Sequence, residues 1–135
     1  MTAALLDTSA LIDPPLPAER PAESAISVLS LGELELGVLL ARTADERSRR
    51  LTRLTLIRDA FDPLPVDEPV VREYARIVAP SREAGRNPRV IDTLIGATAK
   101  ANGLALYTRD DDQAELAGVE TVLLPAGRRR VSSRP

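Results

Sequence analysis

Ala3-Ala4-Leu5-Leu6-Asp7-Thr8-Ser9-Ala10-Leu11-Ile12 is the stretch on which the fold turns. Its apolar run stops at Asp7, a second apolar pair follows, and Asp13-Pro14-Pro15 closes the element. This reads as a buried strand leading into a short helix. A carboxylate that closes a buried strand needs hydrogen-bond partners that a simple surface turn would not require.

Outward from this start, Pro14, Pro15, Pro17 and Pro21 rule out regular structure and predict a surface loop up to Glu23. Ala25-Ile26-Ser27-Val28-Leu29 reads as a second strand. Ser30-Leu31-Gly32-Glu33 has the spacing of a capping box, with Leu34, Val38 and Ala41 at helical intervals as far as about Arg42. Thr43-Ala44-Asp45-Glu46 repeats the capping pattern before a helix carrying Leu51, Leu54, Ile57 and Phe61. Asp62-Pro63-Leu64-Pro65-Val66 reads as a short edge strand, since its prolines cannot donate to a central ladder. Asp67 then caps a helix through Val70, Val71, Tyr74, Ile77 and Val78, and residues 81–88 form a connection.

The next helix, through Val90, Ile91, Leu94, Ile95, Ala97, Thr98 and Ala101, ends at Asn102-Gly103 with the signal for a left-handed cap. Leu104-Ala105-Leu106-Tyr107 is the strongest later strand and stops at Thr108-Arg109-Asp110-Asp111-Asp112; after a short helix, Val119 to Leu124 supplies one more. Strands alternate with helices throughout. The expected fold is α/β, a mostly parallel central sheet with helices on both faces, whose ligands collect beyond the carboxyl ends of the strands. Residues 1–125 make one domain, and the Arg- and Ser-rich segment 126–135 reads as a flexible tail.

Composition narrows the chemistry. The 135 residues are 44% hydrophobic and 28% charged, enough for a core of ordinary size. There is no Cys and no His, which removes disulfides, thiolate nucleophiles, imidazole bases and the metal sites built on either. No basic region followed by an apolar run opens the chain and no segment is apolar enough to span a bilayer, so a cytoplasmic protein is expected. A net charge of -2 gives no global electrostatic case for nucleic acid, so such binding would have to be local or metal-assisted. Lys100 is the only Lys; the Arg clusters at 47, 49, 50 and 53 and at 128–130 suit phosphate contact, with genome composition or a solvated face as the plainer reading.

Four carboxylates stand out in this frame. Asp7 and Asp110 both leave the carboxyl ends of strands; Glu33 opens the helix after the second strand, and Asp92 opens the helix that feeds the strand ending at Asp110. If four carboxylates converge within about 5 Å, each pair repels by roughly 3 kcal/mol at an effective dielectric near 20, so protons or cations must compensate. All-oxygen ligation favours Mg2+ or Mn2+ and suits hydrolysis of phosphodiesters. Taken singly, each has a plainer reading: Glu33 as the reciprocal half of a capping box, Asp92 as a favourable charge at a helix start, and Asp110 to Asp112 as an acidic turn. Asp92, wedged between Ile91 and Leu94, is the harder of these to dismiss, because a spare carboxylate there is costly.

At these residues the chain resembles the PIN-domain ribonucleases, in particular the VapC-type toxins of bacterial and archaeal toxin-antitoxin pairs, over residues 1 to about 125. Leu5-Leu6-Asp7-Thr8-Ser9-Ala10-Leu11-Ile12 resembles the opening motif, and Ser30-Leu31-Gly32-Glu33-Leu34-Glu35-Leu36-Gly37 the Glu-Leu-x-x-Gly helix start. Ile91-Asp92-Thr93-Leu94-Ile95-Gly96-Ala97-Thr98-Ala99 is similar to the third motif, and Leu106-Tyr107-Thr108-Arg109-Asp110 to the fourth. Two departures are Gln113, where the family pattern places an aromatic, and the basic approach Arg86-Asn87-Pro88-Arg89 to Asp92.

The resemblance implies a three-layer PIN-like fold and a Mg2+- or Mn2+-dependent endoribonuclease that arrests translation by cutting RNA. It places Asp7, Glu33, Asp92 and Asp110 in the acidic site, with metal on Asp7, Asp92 and Asp110 and Asp112 as a further candidate. Thr8, Ser9 and Thr108 would orient these carboxylates or merely cap turns, and Arg86, Arg89 or Arg109 would hold the RNA backbone. A VapB-type antitoxin and a second copy of the chain are the implied protein partners. Two other readings are a receiver-like Mg2+-binding domain, against which the lack of an acidic neighbour to Asp7 and of a Lys after the last strands argues, and a catalytically degenerate RNA-binding PIN module.

Overall fold

Along the first strand, β1 (Ala3–Leu6), Leu5 and Leu6 project to opposite faces, and each begins one of the two halves of the core. The computed structural model describes residues 3–116 and 118–125; the tail expected over 126–135 lies outside them. The remaining strands are β2 (Glu23–Ala25), β3 (Ala105–Thr108) and β4 (Thr121–Leu123). All pair in parallel, in the order β2-β1-β3-β4, with Leu5 opposite Ala25 on one side and Leu106 on the other.

Among the described residues five α-helices cover the sheet: α1 (Thr8–Ile12), α2 (Val28–Leu39), α3 (Ala44–Ala60), α4 (Glu68–Glu83) and α5 (Val90–Ala101). Leu6 packs with Leu11, Ile26, Leu34, Val38, Leu54 and Ile57 from the α1, α2 and α3 side, joined by Tyr107. Leu5 and Leu106 pack with Val70, Ile77, Ile95, Ala97 and Ala99 from the α4 and α5 side. The expected helices on both faces of a parallel sheet are therefore present. Burial of Leu5 and Leu106, both wholly inaccessible, contributes about 2 kcal/mol each.

Several boundaries differ from the sequence reading. The second strand was expected over Ala25–Leu29, but it ends at Ala25, and Ser27 caps α2 by accepting a hydrogen bond from the Leu29 N–H at 3.0 Å. Ser30 and Glu33 consequently lie inside the helix, and the capping box predicted for them does not form. The second predicted cap does form: Thr43 accepts from the Glu46 N–H at 3.0 Å, while the Glu46 carboxylate accepts from Arg42 N–H at 2.8 Å.

The predicted edge strand 62–66 is reduced to a single parallel bridge between Leu64 and Ser27. Pro63 and Pro65 on either side offer no donor, and the Leu64 N–H goes to the Ile26 carbonyl at 2.8 Å. Asp67 caps α4 as expected, but the helix runs through Pro80 to Glu83, five residues beyond Val78, with Pro80 on its exposed side. At the end of α5, Gly103 adopts φ +68°, and the Leu104 N–H returns to the Ala99 carbonyl at 2.9 Å, the cap anticipated from Asn102-Gly103. Among the described residues no helix is long and apolar enough to cross a membrane.

The chain order fixes where a ligand belongs. From β1 the chain moves to β2 on one side, then crosses to β3 on the other, so the sheet changes winding direction between β1 and β3. The crevice beyond the carboxyl ends of these two neighbours is where open α/β sheets bind ligands. Asp7 follows β1 and Asp110 lies two residues after β3.

Candidate metal centre

Asp7 is only 6% exposed, and each of its carboxylate oxygens is spoken for. Its Oδ1 accepts from Ser9 Oγ at 2.7 Å and from the Ala10 N–H at 3.1 Å, and its Oδ2 accepts from Thr108 Oγ1. The second of these makes Asp7 the N-cap of α1. The backbone is held as well, since Asp7 N–H continues the ladder to the Tyr107 carbonyl at 3.1 Å. Thr108, wholly buried, serves both strands: its hydroxyl donates to Asp7 and accepts from the Asp110 N–H at 3.0 Å. Ser9 Oγ likewise accepts from Arg109 N–H at 2.9 Å. The hydroxyls of Ser9 and Thr108 thus orient a carboxylate and tie the two strand ends together.

Asp92 and Asp110 are held differently. They are 28% and 34% exposed, and a single guanidinium nitrogen, Arg89 Nη2, lies 2.8 Å from Asp92 Oδ2 and 3.1 Å from Asp110 Oδ2. Burial holds the Asp92 carboxyl above its ordinary pKa, and the negative charges of Asp110, Asp7 and Asp112 push it further, against the opposing pull of Arg89. Asp92, on α5, therefore senses the carboxylate that follows β1 and two of those that follow β3. Asp112 is exposed, and its N–H donates to Asp110 Oδ1 at 2.9 Å.

Glu33 stands apart from this group. It reaches the site through Thr8, whose hydroxyl donates to Glu33 Oε1 and lies 3.0 Å from Ser30 Oγ. Glu33 lines a groove of about 470 Å3 with Ile12, Gly37, Arg49, Arg50 and Arg53, whereas Asp92 and Asp112 line a separate cavity of about 470 Å3 with Arg86 and Arg89. The structure thus links Asp92 to Asp110 through Arg89, with Asp112 beside Asp110 and Asp7 at the end of the neighbouring strand, and ties Glu33 to Thr8 in the other groove.

Two residues take roles that the sequence did not indicate. Gln113, at the position of the absent aromatic, is 3% exposed and donates its side-chain amide to the Asp92 carbonyl at 2.6 Å, pinning the start of α5 to the turn after Asp110. The departure from the family pattern was itself the signal. Arg109, one of the candidates for RNA contact, is instead a clamp with a side chain 8% exposed. It donates to the carbonyls of Asp13, Pro14 and Pro125 and pairs with the Asp13 carboxylate at 3.5 Å.

The donor set suits a hard divalent cation: carboxylates and hydroxyls, no nitrogen or sulfur ligand, and mutual repulsion that a cation would relieve. Among the described residues, however, no three acidic side chains are arranged as a ready-made cage. Arg89 already spans two of them.

The PIN domain model matches residues 4–119. The chain belongs to the PIN-domain family. Within it the chain is similar to Ribonuclease VapC5 of Mycobacterium tuberculosis, 40% identical over 102 residues that cover 76% of this chain and 75% of the relative. It is 45% identical to Ribonuclease VapC8 of the same organism over 101 residues, 71% of this chain and 89% of the relative. Its structure superposes on the crystal structure of VapBC-5, a member of the VapBC family of toxin-antitoxin systems from M. tuberculosis, with a TM-score of 0.82 at 37% identity, over 93% of this chain and 100% of that one. This VapC-type PIN membership sets aside the receiver-like reading.

Proposed function

We propose that this PIN protein is a Mg2+- or Mn2+-dependent endoribonuclease, the toxin of a VapBC-type pair, hydrolysing RNA phosphodiester bonds to arrest translation. The observation that supports the reading is the placement of Asp7 and Asp110 beyond the carboxyl ends of the neighbouring strands β1 and β3, with Arg89 bridging Asp110 to Asp92, in a chain that shares its family with proteins named VapC ribonucleases.

Asp7, Asp92 and Asp110 would hold the cation, with Asp112 at its margin. When bound, the cation lowers the pKa of a coordinated water and offsets charge developing on the phosphate. The chain's own contribution is position. Ser9 and Thr108 present Asp7 in one orientation, and Gln113 fixes the backbone of Asp92. Thr8 donates to Glu33 and lies against Ser30, so Glu33 would act on the site through Thr8, which orients it. Arg86 lines the cavity beside Asp92 and offers a guanidinium to an RNA phosphate.

A VapB-type antitoxin is the expected protein partner, in keeping with the VapBC-5 complex, and a second copy of the chain is a further one. Leu36 and Leu39 of α2, the adjoining Leu40, and Leu51 and Leu56 of α3 are each 49–66% exposed, apolar surface suited to such contacts. Residues 1–125 would form the nuclease unit in the cytoplasm.

The test is to incubate the protein, freed of antitoxin, with total bacterial RNA and Mg2+ or Mn2+, beside EDTA and Asp92→Asn controls. Discrete fragments that require both metal and Asp92 are expected. A folded protein that binds RNA without cleaving it under any of these conditions would instead identify a binding-only PIN module.

A further inference from the structure

We propose that Arg89 is a built-in competitor of the divalent cation: its guanidinium occupies the Asp92 and Asp110 oxygens that the cation must take, and so sets the metal concentration at which the site loads. This inference rests on the metal site proposed above.

The geometry is specific to one nitrogen. Arg89 Nη2 stands 2.8 Å from Asp92 Oδ2 and 3.1 Å from Asp110 Oδ2, so one positive group bridges two carboxylates from different elements. The guanidinium donates a charge-assisted hydrogen bond to Asp110 Oδ2 and forms an ion pair with Asp92 Oδ2, so it stands where a hard cation would approach both oxygens. The two Oδ2 atoms can ligate one cation together only after this bridge opens. Arg86 lines the same cavity, yet no ion pair ties it to either acid among the described residues.

Arg89 is suited to opening. It lies just before α5 as the capping residue, and its backbone carbonyl is held by Thr93 Oγ1 at 2.7 Å, so its main chain stays fixed when the side chain leaves. The side chain itself is 68% exposed, so the guanidinium can move into water at small cost. In the metal-free protein it also offsets repulsion between acids that would otherwise face one another uncompensated.

The experiment is calorimetric titration of MnCl2 into the full chain free of antitoxin, comparing wild type with Arg89→Gln, Arg89→Lys and Arg86→Gln, with melting temperatures recorded with and without Mn2+. Removing two exposed ion pairs is expected to tighten Mn2+ binding about fivefold in Arg89→Gln. Arg89→Lys should tighten it less, because the charge remains but the planar fork is lost. Arg86→Gln should change it by less than about twofold. Arg89→Gln should also melt earlier without metal and gain more from Mn2+ than wild type does. Equal affinity in wild type and Arg89→Gln, with Mn2+ still bound, overturns the competitor role and leaves the metal site standing. So does an Arg86→Gln effect as large as that of Arg89→Gln, which would make the effect one of diffuse charge. Failure of every protein to bind Mn2+ overturns the metal site and the competitor role together.

Discussion

The two halves of the acidic site are built on opposite plans. Around Asp7 the carboxylate is buried, three donors fix its oxygens, and the hydroxyl of Thr108 joins both strands beneath it. Around Asp92 and Asp110 the carboxylates are about a third exposed, and they share one solvent-facing guanidinium. The first half belongs to the sheet and is formed when the strands pair. The second is adjustable, because its oxygens are held by a side chain that can leave. For the cation and RNA proposed to bind here, this division would let one fixed carboxylate set the position while the mobile ones close around what arrives.

Substitutions separate the two plans. The largest effect is expected from Asp7→Asn, which should lower RNA cleavage by more than the 10- to 100-fold typical of losing an outer partner of a metal ligand, with circular dichroism unchanged. Full activity in that variant would break the assignment of the fixed half. Arg109→Ala, beneath the same half, should cost about 3 kcal/mol in denaturant unfolding, because it removes a charge partner of a carboxylate that is 12% exposed and the donor to three carbonyls. Thr108→Val keeps the shape but removes the hydroxyl shared by Asp7 and Asp110. A loss of about 1 to 2 kcal/mol and about tenfold weaker Mn2+ binding are expected, and an unchanged affinity would show that Asp7 needs no such support.

What could be read from the sequence follows the same division. The strand ends at Asp7 and near Asp110 were legible because short apolar runs stop there, and the alternation of strands and helices implied a parallel sheet with both acids at one edge. Local chemistry also revealed the caps at Thr43, Asp67 and Gly103. Contacts between distant residues were not legible. Ser30-Leu31-Gly32-Glu33 has a capping box's spacing, yet Ser30 and Glu33 both turn toward Thr8, 22 and 25 residues earlier in the chain. Local spacing cannot distinguish a side chain that satisfies its own helix from one that serves another element. Arg109 misled for the same reason: nothing nearby in sequence shows that it reaches back 96 residues to the Asp13 carbonyl. The roles of Arg89 and Gln113 depend likewise on the turn after β3 folding back over the start of α5.

The smallest expected effect is the most discriminating. Asp92 sits in the adjustable half with its carboxyl pKa raised from 3.8, chiefly by burial and then by the neighbouring acids. A raised carboxyl pKa means that the folded chain binds this proton more tightly than the unfolded chain. Wild type therefore loses stability as pH rises from below 3.8 through the higher folded value, and the loss persists at neutral pH. Asp92→Asn carries no such charge, so in EDTA it should be slightly more stable than wild type at neutral pH, with the advantage vanishing below pH 3.8. Asp7→Asn should show no such gain, because its carboxylate is already satisfied by three donors. Adding Mn2+ should reverse the order at neutral pH, since wild type can exchange repulsion for ligation and the Asn variant cannot. Melting curves at several pH values, with EDTA and with Mn2+, measure both effects. A destabilised Asp92→Asn in EDTA at neutral pH would mean that the Arg89 bridge outweighs burial and repulsion, and that the second half is as firmly built as the first.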